Sequence, residues 1–337
     1  MGLFLLSGAV LLGGQSAERL APAPPHETIY VAMYGSQQTK LRGPNPVVGI
    51  FYTQDEGKTW HHTDWTQGKI VAVTVAPETG GATLFAACGN GVMRTTDGGK
   101  SWQIVTDWQM DEVQDVALNS LDARQVFAVS PYGIFRSDDS GDAWRETDKG
   151  LRSKFVSAVR FDRERPGRIW AGTEAGLYCS DDDGENWRPT SITTPVRSIR
   201  QSRIAPQRWA VATVGRGVAV SEDNGASWEF RSGAMAPNLY RCAIDPHDAN
   251  ILYAGGWDTG ILISNDFGRT WRTSNAGLGA VPIHGIAVSG RVPGLIFAGT
   301  MGQGVFKSVN GGKTWRPVGA DVFDQGQIWD LTVEDEP

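Results

Sequence analysis

One eight-residue phrase, S/T-x-D-x-G-x-x-W, occurs seven times in this chain, at residues 53–60, 95–102, 137–144, 180–187, 221–228, 264–271 and 308–315. Its acids are read as Asp55, Asp97, Asp139, Asp183, Asp223 and Asp266, with Asn310 in the last copy, so that successive copies lie 40 to 44 residues apart. A unit repeated at that period buries its apolar face only against its neighbours, and its length suits four short antiparallel strands. The rule of thumb that would split 337 residues into two domains therefore gives way to the repeat.

The residue types follow from the needs of a tight turn. An aspartate carboxylate accepts hydrogen bonds from N–H groups of its own turn, glycine relieves a position of positive φ, and the Ser or Thr hydroxyl adds a local bond. Asn310 can still accept, so the last copy loses little. The Trp opens the next strand and carries a large apolar face. On this reading the phrase is a structural staple and holds no site.

Each copy sits in the same surroundings. An alternating apolar stretch (283–288) is followed by a second (295–300), a third (304–308) and the Trp strand; these are strands a, b, c and d of one unit. Strand a recurs at 70–75, 113–118, 156–161, 196–201 and 239–244. Ahead of the first phrase only b (28–34) and c (48–53) can be found, whereas the chain ends on 328–333, an a strand without a unit. Joining the two ends removes the exposed sheet edges of an open array. The expected fold is all-β: a seven-bladed β-propeller of four-stranded blades, one domain over residues 28–337, closed by the C-terminal strand entering the N-terminal blade. Cys88, Cys179 and Cys242 fall on interior strands of three different blades, so no disulfide is expected.

Composition narrows the function classes. The net charge is -6, with acids and bases interleaved, and lacks the concentrated basic face that a nucleic-acid binder needs. Residues 3–13, LFLLSGAVLLG, form an apolar run of signal-peptide length, too short to anchor stably across a bilayer, although no Lys or Arg precedes it. Residues 1–27 are accordingly read as a signal-like segment and linker, which implies a secreted or periplasmic protein whose mature chain has no transmembrane anchor.

The seven phrases resemble the Asp-box (BNR) repeat family, the propellers of sialidases, sortilin-type receptors and xyloglucanase-type glycoside hydrolases, over residues 28–333. In that family the boxes lie on c–d turns, away from the face that binds substrate. Sialidase activity would imply an F/Y-R-I-P-like segment and an arginine triad; the segment is absent, and Arg136, Arg160, Arg200 and Arg241 are scattered over different blades. Xyloglucanase-type enzymes carry an acid in a b–c turn, which Thr173-Glu174-Ala175-Gly176 loosely matches, and a T-D-W-like phrase, which Thr63-Asp64-Trp65 and Thr106-Asp107-Trp108 resemble. The repeats in these 337 residues are expected to make one propeller, where those enzymes carry two. The photosystem II assembly-factor propeller, similar in size and repeat, implies partner binding instead.

Candidate site residues follow from propeller geometry, because the d–a and b–c loops share the face around one mouth of the central channel. The weak catalytic candidates are Glu174, Asp258, Asp64 and Asp107. The ligand-binding candidates are Trp65, Trp108, Trp257 and Arg216 on the loops, with Arg241, Asp115 and Asp330 near the axis. Aromatic rings beside carboxylates suit sugar recognition by stacking and hydroxyl hydrogen bonding; equally, Trp65 and Trp108 could cap the packing between blades. A long b–c insertion in the first blade, residues 35–46, carries Gln37, Gln38, Lys40 and Arg42. No metal site is expected, since the adjacent pair His61 and His62 points to opposite faces of a strand, and no cofactor motif is present. Gly-Lys-Ser/Thr at 57–59, 99–101 and 312–314 lacks the glycine five residues earlier that a phosphate loop requires. The expected function is a binding or scaffolding propeller recognising a glycan or protein partner at the channel-mouth face; the alternative is a glycoside hydrolase or polysaccharide lyase.

Overall fold

Short stretches of alternating apolar residues separated by glycine-rich turns can bury both faces only as stacked sheets, and the computed structural model of the chain has that form. It describes residues 27–35, 48–77, 79–231 and 238–334. The signal-like residues 1–26 and residues 36–47, which hold nearly all of the first-blade insertion, lie outside the described residues.

Seven four-stranded antiparallel sheets form the ring of a seven-bladed propeller. Blade 1 runs, from the axis outward, through Gln327–Val333, Ile29–Tyr34, Gly49–Thr53 and His61–His62, so the two ends of the chain share one sheet. The closing strand sets Val31 opposite Leu331 and Ala32 opposite Asp330. Blades 2 to 7 follow in chain order, with inner strands Ile70–Val75, Asp115–Asn119, Val156–Phe161, Val196–Gln201, Leu239–Ile244 and Ile283–Val288. The second of these, Asp115–Asn119 of blade 3, begins two residues later than the pattern suggests, because the Val113 N–H is given to Cys88 O of the preceding blade. Outer strands are only two or three residues long, a short edge that offers little template for pairing with another chain. Cys88, Cys179 and Cys242 are buried on b, c and a strands.

The boxes close the c–d turns. In blade 6, Ser264 Oγ donates to Asp266 Oδ1 (2.7 Å) and accepts from Gly268 N (2.7 Å), while Thr270 donates its N–H to Oδ1 (2.8 Å) and its hydroxyl to Oδ2 (2.6 Å). Asp55, Asp97 and Asp223 repeat the pattern, Asp139 accepts from the N–H of Ala143, which has no hydroxyl to add, and Asn310 accepts from Thr314 N at 3.0 Å. The fourth copy corrects the assignment of Asp183. There Ser180 donates to Asp182 (2.8 Å), and Asn186 gives its N–H (2.9 Å) and its amide (2.8 Å) to Asp182. The spacing S-x-D-x-G from Ser180 to Gly184 sets the acid at Asp182, one residue before the one assigned, and the Ser180 hydroxyl reaches that carboxylate. Asp183 occupies the following position, where φ is 57° and its N–H turns to Gly167 O of the a–b loop (2.9 Å).

Boxes also join blades. Box tryptophans donate Nε1–H to the preceding blade, Trp144 to Val105 O, Trp187 to Thr147 O and Trp271 to Arg231 O. Cations from the preceding blade reach the carbonyl at the turn's positive-φ residue, as Arg94 does at Ser140 and Arg136 at Asp183 (2.7 Å each). The boxes of Trp144, Trp187 and Trp271 are thus tied to the preceding blade by groups that would otherwise be buried without partners, whereas Trp60, Trp102 and Trp228 have no partner for Nε1 among the described residues.

The box carboxylates set an acid limit on stability. The Thr270 hydroxyl, with its N–H, holds the Asp266 carboxyl down at about 2, below the usual carboxylate range. A folded-state pKa below the unfolded one gives stability that is complete above about pH 4 and lost as pH falls toward 2. The groups are nearly fully exposed, so each effect is small and they act together. The melting temperature should decline between pH 4 and pH 2, and Asp266→Asn should make that decline shallower. An unchanged slope in the variant would exclude this box as an acid-sensitive element.

Candidate binding face at the channel mouth

Boxes and a–b loops share one face of the ring, which leaves the opposite face to the b–c turns and d–a loops, where the inner strands begin. Inner strands have a free edge toward the axis, and their N–H groups need partners there. Asp330 Oδ2 accepts from Val73 N (3.0 Å) and Asp115 Oδ2 from Val159 N (3.0 Å), each on a neighbouring or next blade. Asp115 also pairs with Arg160 at 2.6 Å. Burial pushes the Asp330 carboxyl up, opposed by the Arg241 guanidinium. Arg241 donates to Trp329 O (3.1 Å) and Tyr240 O (3.3 Å). The space left among Asp115, Ser157, Arg200, Arg241 and Asp330 is only ≈ 10 Å³, at the lower limit of what one water needs. The axis is packed, and the two acids placed there by sequence reasoning are committed to holding blades.

In six blades the inner strand carries an irregularity near its start, at a residue the ladder skips: Trp329, third in Gln327–Val333, and Val71, Ser157, Arg197, Tyr240 and His284, each second in its strand. A bulge of this kind re-aims the side chain of the extra residue. On the consecutive blades 6, 7 and 1 the skipped residues are aromatic and meet at the mouth. Tyr240 stacks on His284 at 5.0 Å between centroids, and the His284 ring meets Trp329 nearly at right angles at 5.3 Å. Trp257 of the blade 6 b–c turn adds its edge at 6.3 Å from His284 and remains 50% exposed. Lys69, just ahead of the blade 2 inner strand, lies with Nζ 3.5 Å from the Trp329 ring centroid. Burial, then Arg241 and Lys69, holds His284 down at about 4, so its imidazole is neutral at neutral pH.

The other sequence candidates scatter around this cluster. Glu174, in the blade 4 b–c turn, is bound to Arg197 at 2.7 Å. Asp258 is exposed beside Trp257, and Asp64 and Asp107 are exposed on the loops after blades 1 and 2. Asp107 accepts from Gln109 N (3.0 Å). The four carboxylates thus stand on loops of four blades. Trp65 packs into the apolar cluster shared by blades 1 and 2, as a blade cap does, whereas Trp108 is 84% exposed. Arg216 lies over the Phe230 ring at 3.8 Å. Among the described residues no three His, Cys, Asp or Glu side chains gather as a metal ligand set, and no helix is long and apolar enough to cross a membrane.

Sequence reasoning missed Lys69, Tyr240, His284 and Trp329. A signal was available. Aligning the inner strands puts Tyr240, His284 and Trp329 at the same second position of successive blades, a coincidence of aromatics that strand alternation alone does not require.

The BNR/Asp-box repeat model matches residues 51–62, which span the first box. The fold is similar to that of a solved structure of YCF48 bound to D1 peptide, at 17% identity and a TM-score of 0.60, covering 76% of this chain and 83% of that one. It is similar also to the GH74 xyloglucanase from Xanthomonas campestris, at 16% identity and a TM-score of 0.64, covering 85% of this chain but 52% of the enzyme, so that the chain spans about half its length. YCF48 from Cyanidioschyzon merolae matches at 15% identity and a TM-score of 0.59, covering 76% of this chain and 86% of that one. No curated protein matches the chain in sequence. At such identities these likenesses show the propeller fold.

Proposed function

We propose that this chain is a secreted or periplasmic binding propeller that holds a protein segment against the channel-mouth face. The observation that carries this reading is the aromatic cluster of Tyr240, His284, Trp329 and half-exposed Trp257, with Lys69 on its rim. Aromatic anchors next to a cation supply most of the energy in many protein interfaces. A propeller with a similar fold has been solved with a peptide bound. The likeness to a xyloglucanase keeps a glycoside hydrolase as the second reading. Hydrolysis of that kind needs two carboxyl groups about 5–10 Å apart across the bond that breaks. Glu174 is engaged with Arg197, which weighs against its serving as one of them.

The test is a peptide array probed with the intact protein and with Trp257→Ala. Retained peptides should lose at least about tenfold in affinity, or about 1.4 kcal/mol, on loss of that ring. Ile204→Ala, an exposed change on the opposite face, should leave them bound. Binding indifferent to Trp257→Ala, or xyloglucan cleavage that disappears in Glu174→Gln, would replace the binding reading with the hydrolase.

A further inference from the structure

The mouth holds three polar groups that none of the described residues satisfies. Trp329 Nε1 and His284 Nε2 are buried atoms with no hydrogen-bond partner among the described residues. His284 is 91% enclosed, its residual exposure being 9%. Lys69 has no carboxylate within ion-pairing distance among the described residues; its ammonium rests on the face of Trp329, and Glu112 acts on it only from further away. An indole N–H can only donate, so it needs an acceptor; an ammonium in a partly desolvated position needs a counter-charge. Burying either without a partner costs free energy that a suitable ligand would recover.

The surroundings select the sign of that ligand. Arg241, with Asp330 as its partner in charge, lies beneath Trp329, and Arg241 and Lys69 both press on His284, so the charges acting on the rings of this well are positive, with Asp258 exposed beyond Trp257. The rings of Trp257 and Trp329 both meet His284 at steep angles, 73° and 74°, so neither lies coplanar with it as one flat platform for a sugar face. Below it the axis is filled. An anionic acceptor would answer both the indole N–H and the ammonium.

We propose that this well takes a carboxylate side chain of an acidic protein segment, with Lys69 supplying the opposite charge and Trp329 Nε1 the hydrogen bond. The inference rests on the binding reading above and narrows it from any protein segment to one carrying Asp or Glu at the position seated between Trp257 and Lys69. His284 serves as a neutral wall and polar contact, and Arg241 as the buried positive charge below.

The experiment is isothermal titration of the full chain with capped hexaglutamate, capped hexaglutamine and hexagalacturonate, repeated with Lys69→Met and Lys69→Arg. Hexaglutamate should bind saturably and more weakly as salt rises, hexaglutamine at least about tenfold more weakly. Lys69→Met should lower hexaglutamate affinity at least about tenfold at an unchanged melting temperature, and Lys69→Arg should restore most of it. Equal binding of hexaglutamate and hexaglutamine would sink the carboxylate assignment while leaving a neutral protein segment as the partner. Tighter binding of hexagalacturonate than of hexaglutamate would reassign the well to an acidic glycan. Failure of hexaglutamate to bind, or Lys69→Met binding it as the intact chain does, would remove Lys69 and the well from recognition altogether.

Discussion

Deleting residues 327–337 should yield a chain with no cooperative melting transition, recovered mainly in the insoluble fraction. The closing strand Gln327–Val333 is the inner strand of blade 1, and Ile328, Leu331 and Val333 on it are at most 2% exposed. Full burial of each such side chain contributes about 1.5–3 kcal/mol. Together they rival the roughly 5–15 kcal/mol by which whole domains are stable. The deletion also strips Ile29–Tyr34 of its inner partner and opens an edge where the ring had none. Val73 loses the Asp330 carboxylate that accepts its N–H. Thermal unfolding followed by circular dichroism, beside a solubility measurement, checks the expectation. A truncated chain that stays soluble and melts within about 3 °C of the intact one would mean that blade 1 is complete without its C-terminal strand.

The second large effect lies where a box meets the preceding blade. Gly225 in the blade 5 box has φ 77°, and a Cβ there would stand 2.2 Å from the Trp170 ring of blade 4. Trp170 is 2% exposed and is wedged between Trp209 and Trp228, each 5.6 Å away by centroid. Gly225→Ala therefore combines a left-handed backbone strain of about 1 kcal/mol with overpacking of about 1–3 kcal/mol. Trp170→Ala removes the obstacle but leaves a cavity, at about 3–5 kcal/mol. In the double variant the added methyl enters that cavity, so its cost should fall about 1–2 kcal/mol below the sum of the two single changes. Denaturant unfolding of the four proteins measures the coupling. Additivity to within about 0.5 kcal/mol would show that the box glycine and the tryptophan do not touch.

The blade count, the closing strand and the box chemistry were legible because each rests on local spacing. A turn of Ser, Asp, Gly and Trp makes its bonds within eight residues, and period-two alternation marks its strands, so seven copies report seven blades. The same locality explains the misplaced acid of the fourth box. Three adjacent aspartates invite a slip by one residue, but the spacing from Ser180 and to Gly184 already selects Asp182, and the Ser180 hydroxyl bonds to it.

The site was less legible, for a different reason. Asp115, Asp330 and Arg241 were placed near the axis, but whether such groups face a ligand or a neighbouring strand depends on how far the ring closes. It closes until the acids meet the free N–H groups of other blades. Trp65 and Trp108 follow the same T-D phrase, yet the first is packed and the second bare, since the loops after them fold onto different neighbours. The sequence by itself determined the blades, their order and their closure, through interactions confined to one turn or one strand pair. The tertiary structure alone decided the mouth, because Lys69, Tyr240, His284 and Trp329 belong to four blades and touch only where the bulges of the closed ring turn them toward one another.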